Sequence, residues 1–127
     1  MRKIRCIVVE DEAHIRVFMR TVLQRAGLDV VGEASNGEEG LFLLEKELPD
    51  LVLMDINMPI RTGDDVIEEM KRKSPGIKII MLTSVADAET IKRCIEAGAD
   101  DYIRKDTPYQ EMVELIQSIV IGMEAGK

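Results

Sequence analysis

Cys6-Ile7-Val8-Val9-Glu10-Asp11-Glu12 decides how the rest of the chain is read. Its first four residues are all apolar and mostly β-branched, with none of the alternation of a half-exposed strand. An unbroken run of this kind belongs to a strand covered on both faces. It stops at three consecutive carboxylates, so the carboxyl end of that strand is strongly acidic. Leu51-Val52-Leu53-Met54-Asp55 repeats the form, a fully apolar strand that ends abruptly on a carboxylate.

Helical patterns fill the intervals. From Ala13 to Ala26 the apolar set Ile15, Phe18, Met19, Val22, Leu23 and Ala26 recurs at spacings of three and four, which predicts an amphipathic helix stopped by Gly27. Asp29 to Ala34 reads as a strand. Ser35-Asn36-Gly37 is a turn into a helix through Leu41, Leu44 and Leu48, with Pro49 after it. Asn57 to Gly63 is loop, and Asp64 to Lys73 is a short helix with Val66, Ile67 and Met70 inward. Ser74-Pro75-Gly76 turns the chain into the strand Ile77 to Leu82. A helix from about Asp87 to Ala97 carries Ile91, Cys94 and Ile95 on its apolar side, and Gly98 ends it. Asp101 to Arg104 is a short strand. The last helix, from about Gln110 to Met123, is expected to bury Met112, Val113, Leu115, Ile116, Ile119 and Val120.

Strict alternation of strand and helix predicts an α/β fold, a doubly wound parallel sheet of five strands with five helices on its two faces. The flavodoxin-like strand order 2-1-3-4-5 is expected. Ligands then bind where that order reverses, beyond the carboxyl ends of the first and third strands. The 127 residues suit a single core, with 1–124 as the domain and 125–127 as a tail or the start of a linker.

Composition narrows the function. With 46% hydrophobic and 32% charged residues the chain is of ordinary globular type, and no run approaches the ~20 apolar residues of a membrane span. Positive charges precede the first apolar run, as in a signal peptide. That run is too short, however, and it ends in carboxylates rather than at a small-residue cleavage site, so a cytoplasmic location is expected. A net charge of −7 argues against direct nucleic-acid binding by this domain. Cys6 and Cys94 have no metal-ligand spacing and are expected as reduced thiols.

The predicted topology gathers polar residues along one edge. Glu10, Asp11 and Asp55 follow the first and third strands, Thr83 the fourth and Lys105 the fifth. Carboxylates brought together repel one another unless protonated or bound to a cation, and hard oxygen ligands at a partly open site suit Mg²⁺ (or Mn²⁺). Capping of the following helices is the plainer role for Glu10 or Glu12, but Asp55 has an irregular loop after it. A cation, an ammonium and a hydroxyl together form a cradle for a phosphoryl group that a carboxylate oxygen attacks.

The segments Val8-Val9-Glu10-Asp11-Glu12, Leu53-Met54-Asp55-Ile56-Asn57-Met58-Pro59, Gly63, Ile80-Met81-Leu82-Thr83-Ser84 and Ala97 through Lys105, in this order and at these separations, resemble the response-regulator receiver family over almost the whole chain. The resemblance implies a signalling domain of a two-component system rather than an enzyme. It takes a phosphoryl group from a sensor histidine kinase or a phosphotransfer protein, and it assists its own phosphorylation and dephosphorylation. It implies Asp55 as phosphoacceptor, with Asp11 and Asp55 as metal ligands. Glu10 would act through a bound water, and the backbone carbonyl of Asn57 would complete the set. Thr83 and Lys105 would hold phosphoryl oxygens. Thr83 with Tyr102 would form the switch that alters the fourth-helix, fifth-strand and fifth-helix face, where partners or a second copy forming a homodimer would dock. Asn57 and Val85 would flank the site.

One departure stands out. Receivers usually carry Pro after the Lys, often with a cis bond, whereas Asp106 follows Lys105 here. A cis bond without proline costs ~3 kcal/mol, so a trans bond or an altered loop is expected.

Other readings fit less well. His14 reads as a helix-surface residue rather than a phosphodonor. A phosphatase of the haloacid dehalogenase type needs a second Asp two residues after its nucleophile, where Asn57 and Ala13 stand. A dinucleotide site needs a glycine-rich turn after the first strand, and none follows it. A phosphate-independent protein-binding module on the same fold is the remaining alternative.

Overall fold

The structure, a computed structural model, describes residues 3–56, 63–84 and 88–125. The strands are β1 (Arg5–Val9), β2 (Asp29–Ala34), β3 (Leu51–Asp55), β4 (Lys78–Thr83) and β5 (Asp101–Arg104). They alternate with α1 (Ala13–Arg25), α2 (Gly37–Glu47), α3 (Gly63–Lys73), α4 (Ala88–Ala97) and α5 (Tyr109–Ala125). All strands are parallel, in the order β2-β1-β3-β4-β5. The expected flavodoxin-like order is therefore the observed one.

The two-sided cover follows from the period-two geometry of a strand. Ile7 and Val9 of β1, Val52 and Met54 of β3, and Ile79 and Met81 of β4 point to one face. There they meet Leu41 and Leu44 of α2, Val66, Ile67 and Met70 of α3, and Cys94 of α4. Their neighbours Cys6, Val8, Leu51, Leu53, Ile80 and Leu82 point to the other. There they meet Met19, Val22 and Leu23 of α1 and Met112, Val113 and Ile116 of α5. Each of these side chains contributes about 1.5–3 kcal/mol by leaving water, which is why the central strands read as unbroken apolar runs.

Both cysteines are buried, and neither forms a disulfide. Burial, reinforced by the charges of Asp29 and Asp50, pushes the Cys6 thiol up to about 12, so it behaves as a small core hydrophobe. Gly27 and Gly98 follow the ends of α1 and α4 with φ of +95° and +122°, backbone that an L side chain resists.

Three assignments from the sequence change. Leu48 is not an inward helical position. It ends α2 in the left-handed region (φ 49°) and is exposed, because Pro49 forbids another turn. Ile95 and Leu115 are also exposed. Ile95 lies one step round α4 from Cys94, the one residue of that helix that is fully buried. Leu115 lies at the margin of the stripe formed by Met112, Ile116, Ile119 and Val120.

Candidate metal and phosphoryl site

Parallel strands bring their carboxyl ends to one edge of the sheet, and β1 and β3 are adjacent there, with Val9 paired to Met54. Glu10 and Asp11 leave β1, Asp55 closes β3, Thr83 closes β4, and Lys105 follows β5. Glu10 is 0%, Asp55 1% and Thr83 2% exposed, while Asp11 faces solvent. The site is therefore walled on the sheet side and open beside Asp11.

Lys105 ties it together. Its Nζ lies 3.1 Å from Asp55 Oδ2 and 3.3 Å from Glu10 Oε1. The Lys105 backbone N–H donates to the Thr83 carbonyl at 2.8 Å, which fixes where its side chain starts. Burial alone would lower the Lys105 pKa. The hydrogen bond to Asp55 and the charges of Asp55 and Glu10 outweigh it, so the pKa is raised and the ammonium form is held.

Glu10 is the strained member. Its Oε2 accepts the Glu12 backbone N–H at 3.1 Å, but the buried Oε1 accepts no hydrogen bond among the described residues. Burial is the main cause that pushes its pKa up to about 7. The neighbouring carboxyls of Asp11 and Asp55 add to this, and the Glu12 N–H and Lys105 oppose it. One carboxylate oxygen from each of Glu10, Asp11 and Asp55 can be chosen so that the three lie within 4.8 Å of one another. Three hard oxygens from carboxylates, two of them on buried residues, match what a small divalent cation requires. Asn57 and Val85 lie outside the described residues.

The other expected residues fall as follows. Tyr102, on β5, is 49% exposed and borders a groove with Ala88, Ile91 and Ile95 of α4. His14 is exposed beside Glu12, in keeping with a surface role. Glu12 occupies the N-cap position of α1 but its side chain makes no capping bond. The Lys105–Asp106 peptide bond is trans, since the described chain contains no cis bond.

One supporting residue was not singled out from the sequence. Arg16 Nη1 donates to the Glu10 carbonyl at 2.7 Å and is itself paired through Nε with Glu33 Oε1 at 3.7 Å. It pins the acidic turn from outside. A cation one helical turn beyond an acidic run was the available signal.

A covered parallel sheet carries, at the carboxyl ends of its strands, an acidic, lysine-bridged cluster that could hold a metal ion. Residues 6–117 match the response regulator receiver domain. The chain is 34% identical over 115 residues to the chemotaxis protein CheY of Thermotoga maritima, covering 91% of this chain and 96% of that one. It is 36% identical over 118 residues to the transcriptional regulatory protein PdtaR of Mycobacterium tuberculosis, covering 91% of this chain but 56% of that one. The crystal structure of a CheY-like receiver domain protein from Methanospirillum hungatei superposes with a TM-score of 0.89 at 29% identity, covering 99% of this chain and 100% of that one. The chain belongs to the response regulator receiver domain family.

Proposed function

We propose that Asp55 accepts a phosphoryl group from a phosphohistidine of a sensor histidine kinase or phosphotransfer protein, and that the modified state alters the face formed by α4, β5 and α5. The observation that carries this reading is the pairing of Lys105 with two buried carboxylates at an edge open to solvent. A structural ion pair needs one carboxylate; two carboxylates and an exposed third suit a site that also takes a cation.

Asp11 and Asp55 would hold Mg²⁺ (or Mn²⁺) directly, Glu10 through a bound water, and the Asn57 carbonyl would be the remaining protein ligand. Once bound, the ion offsets the negative charge that gathers between carboxylate and phosphoryl oxygens. The Asp55 carboxylate oxygen attacks phosphorus. The new O–P bond forms as the N–P bond of the donor breaks, and the electron pair stays on the imidazole nitrogen. Lys105 exchanges part of its contact with Asp55 for a phosphoryl oxygen, and the Thr83 hydroxyl donates a hydrogen bond to another. In the reverse sense of the switch, a water oxygen attacks phosphorus and the Asp55 carboxylate leaves with the bonding pair.

The phosphorylated Asp55 carries charge of roughly −2, in place of the single charge of its carboxylate, and strong acceptor oxygens beside Thr83. Drawing Thr83 toward them opens space that Tyr102, now half outside, turns in to fill. The equilibrium shifts by as much as the two states differ in these contacts. The groove beside Tyr102 changes with it, and a partner or second copy reads that change.

Titration with beryllofluoride and Mg²⁺, followed by amide shifts, tests the reading. Saturable binding that needs Mg²⁺, vanishes in Asp55→Asn and moves signals of Thr83 and Tyr102 supports it. No engagement of Asp55 makes the chain a phosphate-independent binding module.

A further inference from the structure

Asp106, the residue that departs from the family's usual proline, has a partner. Arg104 Nε donates to Asp106 Oδ1 at 3.0 Å and Arg104 Nη2 to Asp106 Oδ2 at 2.9 Å, a two-pronged fork between residues i and i+2. The residue between them is Lys105. The fork spans the point where the chain leaves β5, with the Thr107 N–H donating to the Arg104 carbonyl at 3.1 Å and the Lys105 N–H to the Thr83 carbonyl at 2.8 Å. Arg104 and Asp106 are both exposed, and Lys105 between them is half-buried. The two charged side chains therefore close on the solvent side while Lys105 reaches inward to Glu10 and Asp55.

We infer that the Arg104–Asp106 fork is a positioning device for Lys105, doing with an ion pair across a trans turn what a proline ring does by covalent restriction of φ. Planar guanidinium and carboxylate groups joined by two parallel bonds define a direction as well as a distance, which a single contact from Lys would not. With the fork closed, residues 104–106 keep one backbone path and Lys105 Nζ starts from one place. With it open, the turn keeps its two backbone bonds but samples more paths, and the ammonium spends less time against Asp55. The Arg104 and Asp106 side chains bond to each other rather than to Asp55 or Glu10, so the effect on those carboxylates passes through Lys105.

The inference rests on the proposed function for its consequence but not for its geometry, and the experiment separates the two. Arg104→Gln, Asp106→Asn and the reversed pair Arg104→Asp with Asp106→Arg are compared with wild type by hydrogen exchange of the Lys105 amide, by beryllofluoride affinity in Mg²⁺, and by melting temperature. Each single variant is expected to speed exchange at Lys105 and weaken beryllofluoride about two- to fivefold, the scale an exposed pair supports. The melting temperature stays nearly constant, and the reversed pair restores both readouts. Unchanged exchange and affinity in the single variants overturn the inference, as does a loss that the reversed pair leaves in place. If wild type itself ignores beryllofluoride, the phosphoacceptor reading falls, and the exchange data alone decide the role of the fork.

Discussion

Lys105 Nζ lies 3.1 Å from Asp55 Oδ2, an ion pair that joins the carboxyl ends of β5 and β3 across the end of β4. The same ammonium reaches Glu10 beyond β1, so one side chain answers for two carboxylates that have almost no access to water. Lys105→Met removes this ammonium from both. Removing one partner of a buried pair costs about 3–5 kcal/mol, and the lower part of that range is expected here because Lys105 is itself partly exposed. Urea denaturation without Mg²⁺ measures the loss, and adding Glu10→Gln to Lys105→Met should recover part of it.

Glu10 makes stability depend on pH in the opposite sense to most carboxyl groups. Its folded pKa, about 7, lies above its ordinary value of 4.5, so the folded state binds the proton more tightly than the unfolded one. Its contribution is therefore fully present below about pH 4.5 and is lost as pH rises through 7. Without divalent cations, stability should fall over this interval by an amount on the order of 3 kcal/mol at most. Glu10→Gln should flatten the slope in denaturation curves taken from pH 5 to pH 8. A slope unchanged by the substitution would assign it to other groups.

A cation held by Glu10, Asp11 and Asp55 binds only the folded state, so Mg²⁺ should raise the melting temperature. At a free concentration a hundred times the dissociation constant the gain is about 2.7 kcal/mol. Asp11→Asn should remove most of the Mg²⁺-dependent rise while barely changing the melting point in chelator, since Asp11 is exposed. An equal Mg²⁺ response in wild type and variant would place the ion elsewhere.

Gly37 opens α2 against α3 with no room to spare, because a Cβ there would stand 2.5 Å from Val66 Cγ2. Val66 is fully buried and stiff at χ1, so it cannot step aside cheaply. Gly37→Ala should destabilise by about 1–3 kcal/mol despite the better helix propensity of alanine. Val66→Ala should cost less in that background than alone, a coupling a double-mutant cycle reads directly.

The fold was legible in the sequence because burial on both faces leaves an unmistakable trace: Cys6 to Val9 and Leu51 to Met54 have no polar residue to spare. The candidate site was legible because parallel strands align their ends, and polar residues at the carboxyl ends of four strands, three of them apolar runs, must meet along one edge. What periodicity leaves open is where a stripe ends. Ile95 and Leu115 match the helical spacing as well as their buried neighbours, and only the reach of the sheet beneath them sets them outside. Leu48 fits the helical rhythm too, and its left-handed turn carries no glycine to announce it. The Arg104–Asp106 fork was hidden for a further reason: a pair at i and i+2 meets only when the turn between them takes one particular course.

A phosphoacceptor at Asp55 must show a covalent change there. Intact mass should be recorded for wild type and Asp55→Asn after incubation with acetyl phosphate, with Mg²⁺ and with chelator. A gain of about 80 Da, one phosphoryl group, is expected in wild type with Mg²⁺ only, and none in the variant. A gain of equal size in Asp55→Asn, or one indifferent to Mg²⁺, would contradict that role.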